Sequence, residues 1–383
     1  MLPVAADFLD VLKGSHQQVC RVDAYRGGRL VSPALGLPVT GGQVSLTAGQ
    51  AIRAQVSVTI ADPDGVWAPK ADGPLSPYGS ELNVRLGVAA GRTFTLLSVV
   101  WAPITVARTS QRWQPYTRVD RVVQVSRGAS NDITATDRAE IVGGAKFMAR
   151  TQPANSTVFA EIASLLRGIV PYWSPPAGVA DKAIPTGITY ADDRLAAIGD
   201  LAGVVNCDFI FRGDGVATLT PRAAFPIPTS SVWALPSGPE GQPPAVILDR
   251  ELNRDGVYNG VIARGTSLNG TAIIGQAVIG DGPLRWNGPL GQIPYFVDSP
   301  TIGTQADADT AAAGQLAKLQ AERAQTLTVE TVSNPALEPG DVVSLALANG
   351  SVNGLVTALS WPLTPGPMSL TLSVDPTLLA QAV

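Results

Sequence analysis

QTLTVETVSNPALEPGDVVSL, residues Gln325–Leu345, decides the fold class. It opens on alternation: Leu327 and Val329 are apolar, while Thr326, Thr328 and Glu330 are polar. A period of two places Leu327 and Val329 on one face of a half-buried strand. Asn334-Pro335 ends that strand, because Pro335 has no N–H for the ladder and restricts the residue before it. Within Leu337-Glu338-Pro339-Gly340-Asp341, Pro339 presets φ for a tight turn and Gly340 supplies the positive φ of a type II corner. A second strand leaves at once through Val342, Val343, Leu345 and Leu347. Further strands at Gly354–Leu363 and Met368–Val374 are expected to complete a meander, the building unit of a small β-barrel. An Ala-rich helix over Asp307–Gln325, with Leu316 and Leu319 inward, feeds it from upstream.

The rest of the 383 residues has the composition of such a protein. There are 39 Gly and 31 Pro, which with short alternating runs read as β-rich with many turns. Only 15% of residues are charged, against an average of about 25%, which suits a chain that buries surface against other subunits. The net charge is -4, and no basic face is implied, so sequence-specific nucleic-acid binding is not expected. His16 is the single histidine, and Cys20 and Cys207 are the only cysteines. The two cysteines cannot supply a zinc or iron–sulfur site by themselves, a two-histidine metal site is excluded, and both cysteines read as small buried apolar residues. No signal peptide is visible, and no apolar run approaches the roughly twenty residues that cross a bilayer, so no stable membrane insertion is expected.

In chain order, Pro3–Leu12 reads as a short helix. Strands follow at Val19–Tyr25, Arg29–Val31, Gln43–Thr47 and Ile52–Ala61. In the last of these, Ile52, Ala54, Val56, Val58 and Ile60 share a face. A long loop runs to Ser80. Glu81–Gly87, Thr93–Trp101, Val119–Ser126 and Asp132–Thr136 complete a first β domain. Asn155 or Ser156 caps a helix carrying Val158, Phe159, Ile162, Leu165 and Leu166, and Asp192 or Asp193 caps a second with Leu195, Ile198 and Leu201 inward. Cys207–Phe211 and Val216–Thr220 form a hairpin. Ala223–Pro244 reads as a linker, Ala245–Asn253 and Gly256–Arg264 as a β pair, and Leu268–Pro294 as a Gly-rich excursion. The expected fold is mainly β with an α/β module. Residues 1–145 form one β-barrel domain, 146–225 a helix–helix–hairpin module, and 226–383 a second barrel with an excursion at 268–300 and a helix at 307–325.

Candidate chemistry dissolves residue by residue. Arg212-Gly213-Asp214 looks like an integrin-binding tripeptide but sits where a hairpin must turn. Asp62-x-Asp64-Gly65 starts like a calcium loop, yet its glycine comes too early. Gly213-x-Gly215 lacks the third glycine of a dinucleotide loop. Asp192-Asp193 precedes an apolar-periodic run, as helix caps do. Asp137-Arg138 reads as a surface ion pair. No nucleophile elbow or P-loop is present. No catalytic, metal or cofactor residue is expected, and no cofactor. Trp67, Tyr78, Trp101, Trp113, Tyr116, Tyr172, Trp173, Trp286 and Tyr295 lie in or beside loops, where they either plug barrel ends or stack on sugars.

Four stretches carry a resemblance. IRAQVSVTIADP (Ile52–Pro63) with LSPYGSEL (Leu75–Leu82) resembles the N-terminal module of minor tail proteins from long-tailed phages that infect actinobacteria. NDITATDRA (Asn131–Ala139) resembles the end of that module. LAAIGDLAGVVNCDFIFRGDGVATLTP (Leu195–Pro221) is similar to the helix and hairpin of phage tail-hub proteins. Val257-Tyr258-Asn259 with Ala263-Arg264-Gly265, then the helix into Asp341, resembles their second barrel. The resemblance spans about residues 15–375 and extends to the baseplate hub of contractile phages. It implies a structural, non-enzymatic virion subunit made in the host bacterial cytoplasm. Three copies, each with two tail-tube-like barrels, would form a ring at the tail tip that lines the genome-delivery channel. Its partners would be further copies of itself, the distal tail protein, the tape-measure protein and tail-tip or fibre proteins. Some relatives append a peptidase or lysozyme domain, and none is expected here. The alternatives are a receptor- or carbohydrate-binding tail protein using the loop aromatics, and a wall hydrolase using unpaired acids.

Overall fold

In the computed structural model, residues 1–383 are described except 6, 119–120, 185–186, 223–226, 236–245, 249–255, 268, 300, 324, 348 and 376–383. The first helix, α1, is Phe8–Lys13, later and shorter than the expected Pro3–Leu12, with Phe8 and Leu12 buried. Seven strands follow: β1 (Gln17–Arg26), β2 (Arg29–Leu30), β3 (Val39–Thr47), β4 (Ala54–Ala61), β5 (Ser80–Ala90), β6 (Thr93–Arg118) and β7 (Arg121–Thr136). Alternation in β4 holds for Ala54, Val56, Val58 and Ile60, all buried, while Ile52 precedes the strand and packs half-buried against the core of the helical module. β6 is the departure. The expected strand ends at Trp101, but β6 continues to Arg118 and pairs with β7 from Ile104↔Ala135 to Arg118↔Arg121. The run Arg108–Arg118 hides this strand from a reading based on hydrophobic alternation, because its described side chains are exposed on both faces.

The middle of the chain holds α2 (Ala139–Gly144), α3 (Val158–Leu166), α4 (Arg194–Val204) and the hairpin β8 (Cys207–Phe211) with β9 (Ala217–Pro221). These share one core with Val158, Ile162, Leu166, Ile198, Leu201 and Phe209. Helix α2 was not legible in the sequence. The residue that opens α3 is Thr157, which makes no side-chain cap bond, rather than Asn155 or Ser156. The first N–H groups of α3 are met from elsewhere in the chain, Val158 donating to the Lys182 carbonyl (2.9 Å) and Phe159 to Asp181 Oδ1 (3.0 Å), while Glu161 accepts from the N–H groups of Ala154 (3.0 Å) and Asn155 (2.9 Å) ahead of the helix.

The C-terminal half contributes β10 (Trp233–Ala234), β11 (Val246–Leu248), β12 (Gly260–Thr266), β13 (Ala272–Val278), β14 (Pro294–Asp298), α5 (Gln305–Arg323), β15 (Gln325–Thr331), β16 (Val342–Leu347), β17 (Gly350–Pro362) and β18 (Met368–Val374). Two pairings differ from expectation. β11 and β12 are not partners: β11 pairs β15, while β12 joins β13 and β14 in a separate three-stranded sheet. The Gly-rich excursion is thus half structured, and α5 closes one face of that small sheet with Ala308, Ala312, Leu316 and Leu319 buried. Close packing explains Gly275, where a Cβ would lie 2.4 Å from the Ala308 carbonyl oxygen of α5.

Nor do the four final strands form a simple meander. β16, β17 and β18 are neighbours in sequence order, but β15 lies beside β18, giving the order β15-β18-β17-β16. The Pro339-Gly340 corner therefore carries the chain across the layer instead of turning a hairpin. Its geometry is nevertheless the type II turn read from the sequence: Asp341 N–H donates to Glu338 C=O (3.1 Å) and Gly340 has φ 99. Leu327 faces Leu372 and Val329 faces Leu370, all fully buried. Each such side chain contributes about 1.5–3 kcal/mol on burial.

The two β halves meet at β17 and β3, where Trp361 pairs with Val44 and Leu359 with Leu46. A single 13-stranded sheet results, running β11-β15-β18-β17-β3-β4-β7-β6-β5-β1-β2 with β16 and then β10 branching from β17, and one apolar cluster runs through both halves. Its path has two ends, and no pairing among the described residues closes either half into a ring.

Candidate functional site

The residues singled out by chemistry turn out to build joints between these units. Arg212-Gly213-Asp214-Gly215 is the β8–β9 turn, and it docks on β6. A Cβ on Gly213 would lie 2.1 Å from the Ser98 carbonyl oxygen, and Ser98 Oγ donates to the Gly213 carbonyl. Beneath it sits Arg138, which is buried and so is no member of a surface ion pair. Its Nε and Nη2 donate to the Glu81 carboxylate (2.9 and 2.8 Å), and Nη1 donates to the Gly215 carbonyl (2.9 Å). The guanidinium lies 4.8 Å over the Trp101 ring, and Trp101 Nε1–H also donates to Glu81 (2.7 Å). A two-point bond from a planar guanidinium fixes orientation as well as distance. This set clamps the helical module to the β sheet.

Asp137 belongs to a second joint. It accepts backbone N–H bonds from Arg53 (2.7 Å), Ala54 (2.9 Å) and Ala139 (2.9 Å). Burial pushes its carboxyl up, opposed by those bonds and by the Arg53 charge. Burial likewise lowers the Arg53 guanidinium, while Glu338, Asp137 and Asp341 raise it. Glu338 is pushed up by burial and pulled down by Arg53. Glu338 and Asp341 flank the Gly340 corner, and the Met1 amino group pairs with both, so the chain start is tied to the C-terminal layer's turn.

The remaining candidates fall to structural roles. Asp62 is buried and accepts from Val66 N–H (2.7 Å), Trp67 N–H (2.9 Å) and Asn131 Nδ2 (2.9 Å), which ties the loop after β4 to β7. Asp193 caps α4 through Ala196 N–H (2.9 Å) and pairs with Lys146 (2.7 Å). Among the described residues no group of three or more His, Cys, Asp or Glu could hold a metal. Burial raises the Cys20 thiol to about 12, far from a reactive thiolate. The aromatic residues do not converge. Trp67 packs on the main core, Trp173 on the helical module, and Trp286 covers Gly260, while Tyr78 and Tyr172 stand exposed in different units and the Trp113 side chain lies outside what is described. A cleft of about 220 Å³ separates α4 from α5 and carries both signs of charge, with Lys182, Asp200, Arg222 and Asp307. Its two cations are engaged already: Lys182 donates to the Val204 carbonyl (2.9 Å) and Arg222 to Asp208 (3.0 Å). No helix among the described residues is long and apolar enough to cross a membrane.

One element has no structural joint to make. β5 last pairs β6 at Pro103, and β4 last pairs β7 at Ser130. Beyond those points the β6–β7 ribbon continues alone to Arg118 and Arg121. At 3.3 Å per residue the unsupported part from Ser110 is about 30 Å long. We call it the arm. No apolar alternation along Gln111–Arg118 announces it, and the β-branched Val122, Val123 and Val125 are the signal the sequence offers.

By sequence, no protein-family model and no curated protein matches the chain. Solved structures do. A tail protein from Neisseria meningitidis MC58 superposes with a TM-score of 0.59 at 14% identity, over 95% of this chain and 99% of that one. The 43 kDa tail protein of prophage MuSo2 from Shewanella oneidensis gives 0.55 at 10% identity, over 94% and 99%. The chain has the fold of these tail proteins. Because coverage is nearly complete in both directions, the likeness takes in the sheet, the helical module and the α5 unit together.

Proposed function

We propose that the protein is a structural subunit of a phage tail, a hub that forms a homotrimeric ring at the tail tip. The observation that carries this reading is the end-to-end likeness to the Neisseria tail protein, whose length it matches almost completely. In this reading residues 1–145 and 226–383 are two tube-like units and 146–225 the module between them. Two such units per chain turn three chains into six quasi-equivalent positions, which is what a junction between a threefold tip and a sixfold tube requires. The β3–β17 seam, with a core shared across it, holds the two units in one fixed relation, as a ring wall needs. Neighbours would be the distal tail protein, the tape-measure protein and tip or fibre proteins, and the channel would pass the genome.

Asp62, Asp137 and Asp193 each accept backbone N–H bonds, which supports a structural role for those acids. Purified protein incubated with cell-wall peptidoglycan is expected to release nothing. The ring is tested by symmetry in an averaged reconstruction of the tail tip. Three copies in one ring, each giving two similar units to the wall, is the expected result. A single peripheral copy, or a unit projecting outward as a head, would replace it with the receptor-binding reading.

A further inference from the structure

We infer that the β6–β7 arm is a docking element that seats on the acidic body of a second copy of this chain. This rests on the oligomeric reading above and names the contact that would hold the copies together.

Three observations lead there. The first is that the described side chains of the arm reach no core. β6 gives Val99, Val100, Ala102 and Ile104 to the main apolar cluster and packs Ala107 against it, and β7 gives Ile133 and Ala135. Further out, Tyr116 and Val122 are 57% and 64% exposed. A two-stranded ribbon is marginal in water without a third strand or a packed face. The second is the open edges. No described strand pairs the outer edge of β6 beyond Pro103 or of β7 beyond Ser130. A free strand edge is a template for another chain.

The third is charge. The arm contains four arginines, 112, 118, 121 and 127, against the single acid Asp120, and a fifth, Arg108, stands at its base. The rest of the chain keeps the remaining 22 of 27 basic and 30 of 31 acidic residues. A basic arm therefore projects from an acidic body, and two copies are complementary arm to body. Nucleic acid is the other polyanion such an arm could meet. It would answer the arginines but leave the open edges and the exposed Tyr116 and Val122 uncovered, and the acidic body would repel it. Arginine together with exposed aromatic and aliphatic residues is the composition of a protein interface.

The test compares the full chain with a variant in which residues 111–129 are replaced by Asn-Gly. Ser110 and Ser130 are cross-strand partners, so a two-residue turn closes the shortened hairpin. A second variant, Arg108→Glu with Arg118→Glu, keeps the backbone and reverses the charge. Sedimentation is measured at about 50 and 500 mM salt, where the screening length falls several-fold. The full chain is expected to self-associate, with affinity falling about tenfold or more at high salt. The shortened variant should stay monomeric with an unchanged melting temperature, and the charge-reversed variant should associate about tenfold more weakly. If shortening fails to fold, the charge-reversed pair decides alone. Undiminished association of both variants would overturn the arm as the contact and leave the ring reading standing. A full chain that is monomeric throughout would overturn the inference, and a threefold tail-tip reconstruction would still test the ring. A monomer that binds a short DNA duplex through the arm would replace the second copy with nucleic acid.

Discussion

Leu327, Val329, Leu370 and Leu372 face one another across β15 and β18 with no exposure, whereas Tyr116 and Val122 on the β6–β7 arm stand in solvent. Both regions are antiparallel ribbon built from alternating or β-branched residues. What separates them is what lies on their faces. β15–β18 has neighbours on both edges and a shared core below it. Among the described residues the arm has neither. The same local pattern thus serves as scaffold in one place and as an unfinished interface in the other.

Substitutions should separate the two regions by size of effect. Leu370→Ala, which opens a cavity where no neighbour can collapse, is expected to cost about 3–4 kcal/mol and to lower the melting temperature accordingly. Arg138→Ala should cost about 3 kcal/mol, because it strands Glu81 and the Gly215 carbonyl in a half-buried joint. Denaturant melts of Arg138→Ala alone and combined with Glu81→Gln check this: the pair should cost less than the sum, since the stranded charge is gone.

Gly340→Val is expected to cost about 1–3 kcal/mol, and Gly340→Ala less, from positive φ alone. No atom lies near enough for a Cβ to strike, so the penalty is pure backbone strain. Equal melting temperatures for wild type and the valine variant would contradict the positive-φ corner. Asp193→Ala should cost about 1 kcal/mol as a lost helix cap. The Lys146 bond, then the cap bond to Ala196, hold the Asp193 carboxyl below its usual range. A depressed folded pKa means its contribution is present above the ordinary carboxylate value and lost as pH falls through the depressed one. With the side chain largely in solvent, water screens the ion pair and keeps the acid-limb change small. Last, Val122→Ala should shift the isolated chain's stability by no more than about 0.5 kcal/mol, the smallest effect of the set. A large destabilisation at Val122 would mean that the arm folds back onto its own body.

Sequence by itself determined the local pieces. Alternation placed β4, β8 and β15 and the buried faces of β4 and β15, Asp193 declared its helix, and Pro339-Gly340 declared a type II corner, because each depends on a few neighbouring residues and their own φ preferences. Periodicity missed β6 past Trp101, since its outer run, exposed on both faces where described, carries no apolar alternation. It also misplaced Asp137 and Arg138 on the surface, because burial of a charge depends on partners, here Arg53, Glu81 and Gly215, far away in the chain. Tertiary structure alone decided that β15 lies beside β18 and not β16, that β3 and β17 weld the two halves, and that four arginines share one unsupported ribbon. Pairing is a competition among distant edges for the same hydrogen bonds and the same core. Its outcome belongs to the whole chain and to no single stretch of it.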